Sequence, residues 1–157
     1  MSIEEEKRQL ALHRIKQAEE SLDEARYLLD GGKSPRSVIN RAYYSMFYSI
    51  LALLIFEPYS SSKHSGVLSY FNRQFIKNGL IPKDIGRAVN KAFDIRQRGD
   101  YREQITLNHN QVEPFIDWAE KLIKSVKAFL IGNRRKLYNL MYASNFIEFD
   151  QYLIFKM

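Results

Sequence analysis

The chain has 157 residues, a formal net charge of +6 and no cysteine. This length suffices for one domain with a full hydrophobic core, and the absence of cysteine excludes disulfide bonds, thiolate nucleophiles and cysteine-based zinc sites. The longest uninterrupted apolar run, Ile50–Phe56, is far shorter than the roughly 20 residues needed to cross a bilayer. We therefore expect a soluble, cytoplasmic protein with no membrane partner.

The positive charge is concentrated in residues 63–102, which hold nine basic and three acidic side chains. Such a cationic segment suits a polyanionic partner, either nucleic acid or an acidic protein. A basic surface can also serve solubility alone, and composition does not separate these alternatives.

Two long helices are predicted in the first third of the chain. Glycines at 31 and 32 end the first helix, Ile3–Asp30, and the second begins with Ser34 as its N-cap, has proline at its first position, and runs from Pro35 to about Phe56. The first helix has one narrow apolar stripe with steps of four and three residues, made of Ala11, Ile15, Ala18, Leu22, Ala25 and Leu29.

The second helix carries side chains for packing on more than one side. Besides its broad apolar stripe, it presents Arg41, Tyr44 and Tyr48 at offsets of three and four residues. Since a monomer would leave these rings partly exposed, we expect the strip to lie at a homodimer interface. Packing of amphipathic tyrosines at the edge of the core is the alternative.

A serine-rich connection is expected to cap a third helix that Gly79 ends, with Ser60–Ser62 as the capping residues. His64 falls in the first turn of this helix. An imidazole at that position can act as a local cap or as a hydrogen-bond donor to a phosphate.

The fourth helix, from Pro82 to a predicted break at Gly99, places an arginine on its apolar face. Arg96 continues the face made by Ile85, Val89 and Ala92, whereas Arg87, Lys91, Asp94 and Arg98 form the solvated side. An inward guanidinium needs a partner, because burying an unpaired charge costs several kcal/mol. The partner is either Asp100, in a structural ion pair, or a bound anion.

A fifth helix is predicted to begin at an N-x-x-E capping box, Asn110–Glu113, with Pro114 in its first turn. Residues 1–131 are therefore expected to form an all-α, up-and-down bundle of about five helices, with the second and fifth central. Residues 132–157 are rich in tyrosine and phenylalanine and suit a strand as well as a helix, so this C-terminal appendage is left unassigned.

Three blocks in this order, Asn40–Phe47, Lys63–Val67 and Ile95–Tyr101, carry a family resemblance. From about Leu10 to Leu130 the chain resembles HEPN-domain proteins of the small prokaryotic kind. The resemblance implies an all-α bundle, usually a homodimer, in which two copies of a motif near the end of the fourth helix face one another across a groove.

Many members of this family are similar to metal-independent ribonucleases that use an arginine, a polar residue and a histidine four to six positions after the arginine. Arg96 and Gln97 match the first two positions, but Tyr101 stands where histidine is expected. An unperturbed tyrosine, with a pKa of about 10, moves protons poorly near neutral pH. A second match to the spacing, Arg102 with His109, lies in the polar connection after the helix, and we interpret it as coincidence.

The resemblance therefore implies a site with Arg96 and Tyr101 as catalytic residues and no metal or cofactor. The binding residues it implies are Arg41, Tyr44, Gln97, Asp100 and His64, with RNA or a nucleotide as ligand.

Three functions stay open. The first is an RNA-directed toxin of a toxin–antitoxin pair, a metal-independent endoribonuclease in which Tyr101, or a histidine brought across the dimer, assists Arg96. The second is a non-catalytic nucleotide- or partner-binding subunit that works with a small nucleotidyltransferase as antitoxin, with Tyr101 a candidate acceptor for nucleotidylation. The third is a plain helical adaptor.

Overall fold

A computed structural model describes residues 2–101 and 106–141, with side chains described for residues 2–98 and 106–133. Every regular element in these ranges is helical, which confirms the predicted all-α class. The elements are α1 Ile3–Asp30, α2 Pro35–Leu54, α3 His64–Phe71, a π-helical turn Asn72–Ile76, α4 Lys83–Tyr101, the single turn α5 His109–Val112, and α6 Pro114–Met141.

Helix α2 is the centre of the bundle, as predicted, because α1, α3, α4, α5 and α6 all pack against it. Its buried residues extend around the helix: Tyr43, Met46 and Ile50 are fully buried, and so is Ser45 on the opposite side. The Ser45 hydroxyl donates a 2.8 Å hydrogen bond to the Ala18 carbonyl of α1, so its burial leaves no unsatisfied donor. Helix α6 also packs against α2, and it contacts α1 and α4 as well.

The predicted junction between α1 and α2 is confirmed. Gly32 has φ 63°, the left-handed conformation that glycine adopts without steric cost after a helix. The Ser34 hydroxyl accepts the Ser37 backbone N–H at 3.1 Å, and Pro35 occupies the first helical position. Local capping chemistry therefore sets this turn and the orientation of α2.

Two predicted boundaries are wrong. Helix α3 has Lys63 as its N-cap, with no side-chain cap, and Ser61 instead accepts the Lys63 N–H at 3.1 Å in the preceding turn. Helix α4 continues through Gly99 to Tyr101. A glycine costs only about 1 kcal/mol relative to alanine in a helix, which is insufficient to end a helix that the core holds in place.

The predicted capping box at Asn110–Glu113 is also wrong by two residues. Asn108 accepts the Gln111 N–H at 3.0 Å, and the Gln111 side chain accepts the Asn108 N–H at 2.9 Å. Two overlapping registers of the same motif occur here, and the earlier one forms α5 before Pro114 starts α6.

No sequence pattern indicated the π-helical turn after α3, where the Lys77 N–H donates to the Asn72 carbonyl at 2.9 Å. Such a turn inserts one extra residue into the helical register. It brings the Ile76 side chain against α4 at Gly86, where an added Cβ would lie 2.9 Å from Ile76 Cγ1.

None of the described helices has the length and apolar character of a bilayer-spanning segment. Helix α6 is described as far as Met141. Residues 142–157, which make up most of the predicted appendage, lie outside the described part of the chain.

Candidate functional site

Helix α4 has the two faces that the sequence predicts. Ile85, Val89 and Ala92 are buried, and Arg96 lies half-buried at the end of the same face. Arg98 is exposed and forms an ion pair with Asp94 at 3.2 Å. Arg96 is therefore the arginine of this helix that approaches the core.

The Arg96 guanidinium lies against two aromatic rings of α2. Its Cζ is 5.1 Å from the ring centroid of Tyr43 and 5.0 Å from that of Tyr44, and its Nη2 donates a 3.1 Å hydrogen bond to the Tyr44 hydroxyl. A cation over an aromatic face is stabilised by about 0.5–2 kcal/mol, more where water is displaced. These contacts hold the charge at a defined place on α2.

His64, at the start of α3, joins the same cluster. Its Nδ1 lies 2.9 Å from the Tyr43 hydroxyl, and its ring stacks on Phe47 with 4.0 Å between centroids. The edge of the Tyr44 ring also faces it, at 5.9 Å. Partial burial, assisted by the charge of Arg96, lowers the pKa of His64 below its usual 6.5. The imidazole is therefore neutral at pH 7 and can accept a proton.

Tyr43 connects the arginine to the histidine. The side chain is fully buried, with its ring under Arg96 and its hydroxyl against His64. Burial, only partly opposed by Arg96, raises the pKa of Tyr43 well above its ordinary value, so the group stays a neutral phenol. Tyr43 belongs to the broad apolar stripe that the sequence predicts for the second helix, which indicated a core residue and not this second role, although the adjacent Tyr44 was a signal.

Arg41 reaches the cluster from the far side of Tyr44. Its Cζ is 5.2 Å from the Tyr44 ring centroid, and its Nη1 forms a 2.9 Å ion pair with Glu24 of α1. Tyr44 therefore contacts two guanidinium groups. The Tyr48 ring lies 5.8 Å from Tyr44 and is also half-buried, and its place at a homodimer interface stays a prediction.

The structure describes only some of the remaining predicted site residues. Gln97 is exposed on α4. The side chains of Asp100 and Tyr101 lie outside the described residues, so the ion pair of Arg96 with Asp100 and the role of Tyr101 stay predictions. Arg102, whose spacing to His109 we interpret as coincidence, also lies outside them. His109 Nε2 donates a 2.7 Å hydrogen bond to the Lys33 carbonyl, which joins α5 to the turn between α1 and α2.

Either Tyr43 or His64 can donate the hydrogen bond between them, depending on which ring nitrogen of His64 carries the proton. A phenol both donates and accepts, so it can bind Nδ1 when that nitrogen carries a proton and when it does not. The Nε2 of His64 can therefore be either a base or an N–H donor while Nδ1 keeps the same partner. The Arg96 guanidinium and the His64 ring both contact the Tyr43 ring. A cation and an imidazole together are the combination needed to bind a phosphate and move a proton beside it.

Curated relatives cover most of the chain. A "UPF0332 protein" of Thermotoga maritima is 40% identical over 129 residues, which is 78% of this chain and 97% of the relative. Two proteins of Methanocaldococcus jannaschii, named "Putative toxin MJ0142" and "Putative toxin MJ0605", are each 32% identical over 118 residues. These alignments cover 75% and 71% of this chain and 80% and 87% of the relatives.

The family model described as HEPN domain matches residues 11–130. This range begins within α1, ends within α6 and contains all the residues of the cluster around Tyr43. The match extends over well more than half of the chain and agrees with the resemblance that the three sequence blocks carry. The chain belongs to the HEPN domain family.

Proposed function

We propose that this HEPN protein is an RNA-directed toxin that cleaves RNA without a metal ion, with Arg96 binding the scissile phosphate and His64 transferring the proton. One observation carries the proposal: Arg96 and His64, 32 positions apart in the sequence, converge on the same two rings, Tyr43 and Tyr44. The imidazole of α3 thereby supplies the function for which the motif on α4 has Tyr101 instead of histidine.

In the proposed reaction the RNA provides its own nucleophile. His64 Nε2 takes the proton of a 2′-hydroxyl, the 2′-oxygen attacks the adjacent phosphorus, and the bond from phosphorus to the 5′-oxygen breaks. The leaving 5′-oxygen takes a proton from water, and protonated His64 returns its proton to the hydroxide that remains, so the base is regenerated. The products are a 2′,3′-cyclic phosphate and a 5′-hydroxyl, and no redox or metal chemistry is required.

The environment of His64 suits the role of general base. Its lowered pKa keeps the imidazole neutral near pH 7. The proposed reaction uses the tautomer in which Nδ1–H donates to the Tyr43 hydroxyl and Nε2 accepts a proton. Tyr43 is then a positioning residue, since it orients the ring without contacting the RNA. General base catalysis of this kind contributes about 10²–10⁴-fold to a rate.

The Arg96 side chain is suited to bind the scissile phosphate. A guanidinium presents planar N–H donors that match two phosphate oxygens, and a half-buried cation is less screened by salt than an exposed one. It can neutralise the charge that develops as the 2′-oxygen attacks.

The relatives support the toxin role. The two Methanocaldococcus jannaschii relatives that are named as toxins align with this chain over 80% and 87% of their length. A toxin of this kind implies an antitoxin that holds it inactive. We propose that the antitoxin is a protein encoded beside this chain.

The test is cleavage of a 5′-labelled RNA in the presence of EDTA, with the product ends identified by phosphatase and kinase treatment. We expect cyclic phosphate ends from the wild type, a loss of at least about 100-fold in His64→Gln with RNA binding retained, and loss of both binding and cleavage in Arg96→Ala. His13→Gln is the matched control, because His13 is exposed on α1, and it should cleave normally.

Tyr101→Phe separates this proposal from the alternative. Cleavage that survives His64→Gln and is lost in Tyr101→Phe would assign the proton transfer to Tyr101. A wild type that binds RNA or nucleotide without cleaving it, and that is labelled at Tyr101 by a neighbouring nucleotidyltransferase, would instead make the chain a non-catalytic subunit.

A further inference from the structure

An open groove of about 610 Å³ lies between α4 and the segment formed by α3 and the π-helical turn. Leu68 and Phe93 provide its apolar surface. Its polar lining consists of Ser65, Ser69, Asn72, Arg73, Lys77 and Asn90. The lining includes two cations and no carboxylate, so the groove favours an anionic ligand.

The π-helical turn places Lys77 in this groove. In an unbroken α-helix the line of Ser65, Ser69 and Asn72 would continue four positions on, at Ile76. The extra residue of the turn rotates Ile76 towards Gly86 of α4 and gives its place to Lys77. A local change of helix type thus exchanges an apolar side chain for a cation at the groove.

Arg73 and Lys77 are available to a ligand. Both are exposed, and among the described residues no carboxylate lies within ion-pair distance of either. The Arg73 guanidinium lies 5.7 Å from the Tyr70 ring centroid, which limits its range of positions. The Asn72 and Asn90 side chains hydrogen-bond to each other at 2.9 Å and hold the two walls of the groove together.

One end of the groove meets the Arg96 and His64 site. Ser65 follows His64 directly, and Phe93, one turn before Arg96, has its ring 5.8 Å from the Tyr43 ring. Lys77 lies twelve positions after Ser65, which is about 18 Å of helix at about 1.5 Å per residue. That distance corresponds to on the order of five nucleotides at the roughly 3.4 Å spacing of a stacked strand.

We infer that this groove binds the single-stranded RNA that flanks the phosphate at Arg96, with Arg73 and Lys77 contacting successive phosphates. The inference rests on the proposed function and extends it to the class of substrate: a single strand longer than the cleaved step. Since the contacts are to phosphates, the groove adds affinity and direction without selecting bases.

The experiment compares Arg73→Ala/Lys77→Ala with Lys16→Ala/Lys124→Ala, which removes two exposed cations from α1 and α6, away from the groove. Affinity for a labelled single-stranded RNA of about ten nucleotides is measured by fluorescence anisotropy over a range of salt. Binding of a dinucleotide, which is too short to reach Arg73 from Arg96, is measured by NMR titration.

For the groove variant we expect roughly tenfold weaker binding of the longer RNA near physiological salt, and a salt slope smaller by about 1.4, the contribution of two phosphate contacts on a single strand. Dinucleotide binding should stay unchanged, and the control should bind both RNAs as the wild type does.

Three results would overturn the inference: no loss in the groove variant, an equal loss in the control, or competition by polyglutamate as effective as that by RNA, which would assign the groove to acidic proteins. Arg96→Ala distinguishes this failure from failure of the proposed function. If Arg96→Ala weakens binding of both RNAs and the groove variant weakens neither, the groove inference alone fails. If Arg96→Ala binds both RNAs normally while the groove variant loses the longer one, the groove binds RNA and the proposed function fails.

Discussion

Replacing Arg96 by alanine tests the site most directly, because the structure gives this side chain both a stabilising and a functional role. Its two ring contacts on α2 correspond to about 0.5–1 kcal/mol each at a half-exposed position. The hydrogen bond to Tyr44 has a charged donor and adds about 1.5 kcal/mol. The free energy of unfolding should therefore fall by about 3 kcal/mol in Arg96→Ala.

A loss of this size leaves the protein folded. Domains are typically stable by about 5–15 kcal/mol, and at this chain length 1 kcal/mol shifts the melting temperature by about 3 °C. We expect Arg96→Ala to melt about 10 °C below the wild type. Thermal unfolding followed by circular dichroism measures the shift, and RNA binding should be measured well below the melting temperature of the variant.

Two further variants separate charge, geometry and position. Arg96→Lys keeps the cation over the rings but loses the planar set of donors, so we expect about 1 kcal/mol less stability and weakened phosphate binding. Arg98→Ala removes an exposed arginine of the same helix and should change stability by less than about 0.5 kcal/mol. Its RNA binding should fall only modestly, and less so at high salt.

Two results would contradict these roles of Arg96. A melting temperature of Arg96→Ala equal to that of the wild type would mean that the contacts to Tyr43 and Tyr44 contribute no net stability. Full RNA affinity in the folded variant would mean that Arg96 is not the phosphate site, whatever its effect on stability.

Three other changes and one measurement test separate parts of the structure. Because the pKa of His64 is lowered on folding, the unfolded chain binds more protons just below pH 6.5, so stability should fall as the pH drops below that value. In urea, the free energy of unfolding should differ less between pH 5.5 and pH 7.5 for His64→Gln than for the wild type. An equal difference in the two proteins would contradict the lowered pKa of His64. Gly86→Ala places a Cβ 2.9 Å from Ile76 Cγ1. We expect this variant to be less stable than the wild type in urea, because overpacking costs about 1–3 kcal/mol and the gain in helix propensity is only about 1 kcal/mol. A more stable variant would show that the π-helical turn adjusts freely. Ser45→Ala removes the buried bond to Ala18 and should lower the free energy of unfolding by about 1 kcal/mol, whereas unchanged urea unfolding would show that this bond adds nothing. Light scattering should give the mass of a homodimer, and a monomer mass at micromolar concentration would contradict the predicted interface.

Local chemistry in the sequence determined the limits of the first helix, the start of α2 and the inward position of Arg96. The Ser34 cap, the proline after it and the two glycines before it act within one turn of the chain, and the steps of three and four residues define which side of α4 faces the core. Such signals depend on neighbours in sequence, so they can be read without knowing the fold. Where two local signals overlap, as at Asn108 and Asn110, the sequence alone does not choose between them, and the structure has the earlier one.

Only the tertiary structure decided which groups meet. His64 and Tyr43 are 21 positions apart and Arg96 and Tyr44 are 52 apart, and periodicity along one helix carries no information about the facing side chain on another. From the sequence, Tyr43 is therefore predicted to be a core residue, and His64 either a local cap or a binding residue. The packing of α3 and α4 on α2 brings the two side chains together with Arg96. The π-helical turn was equally hidden, because the contact of Ile76 with Gly86 that accompanies it is made between elements and not within one.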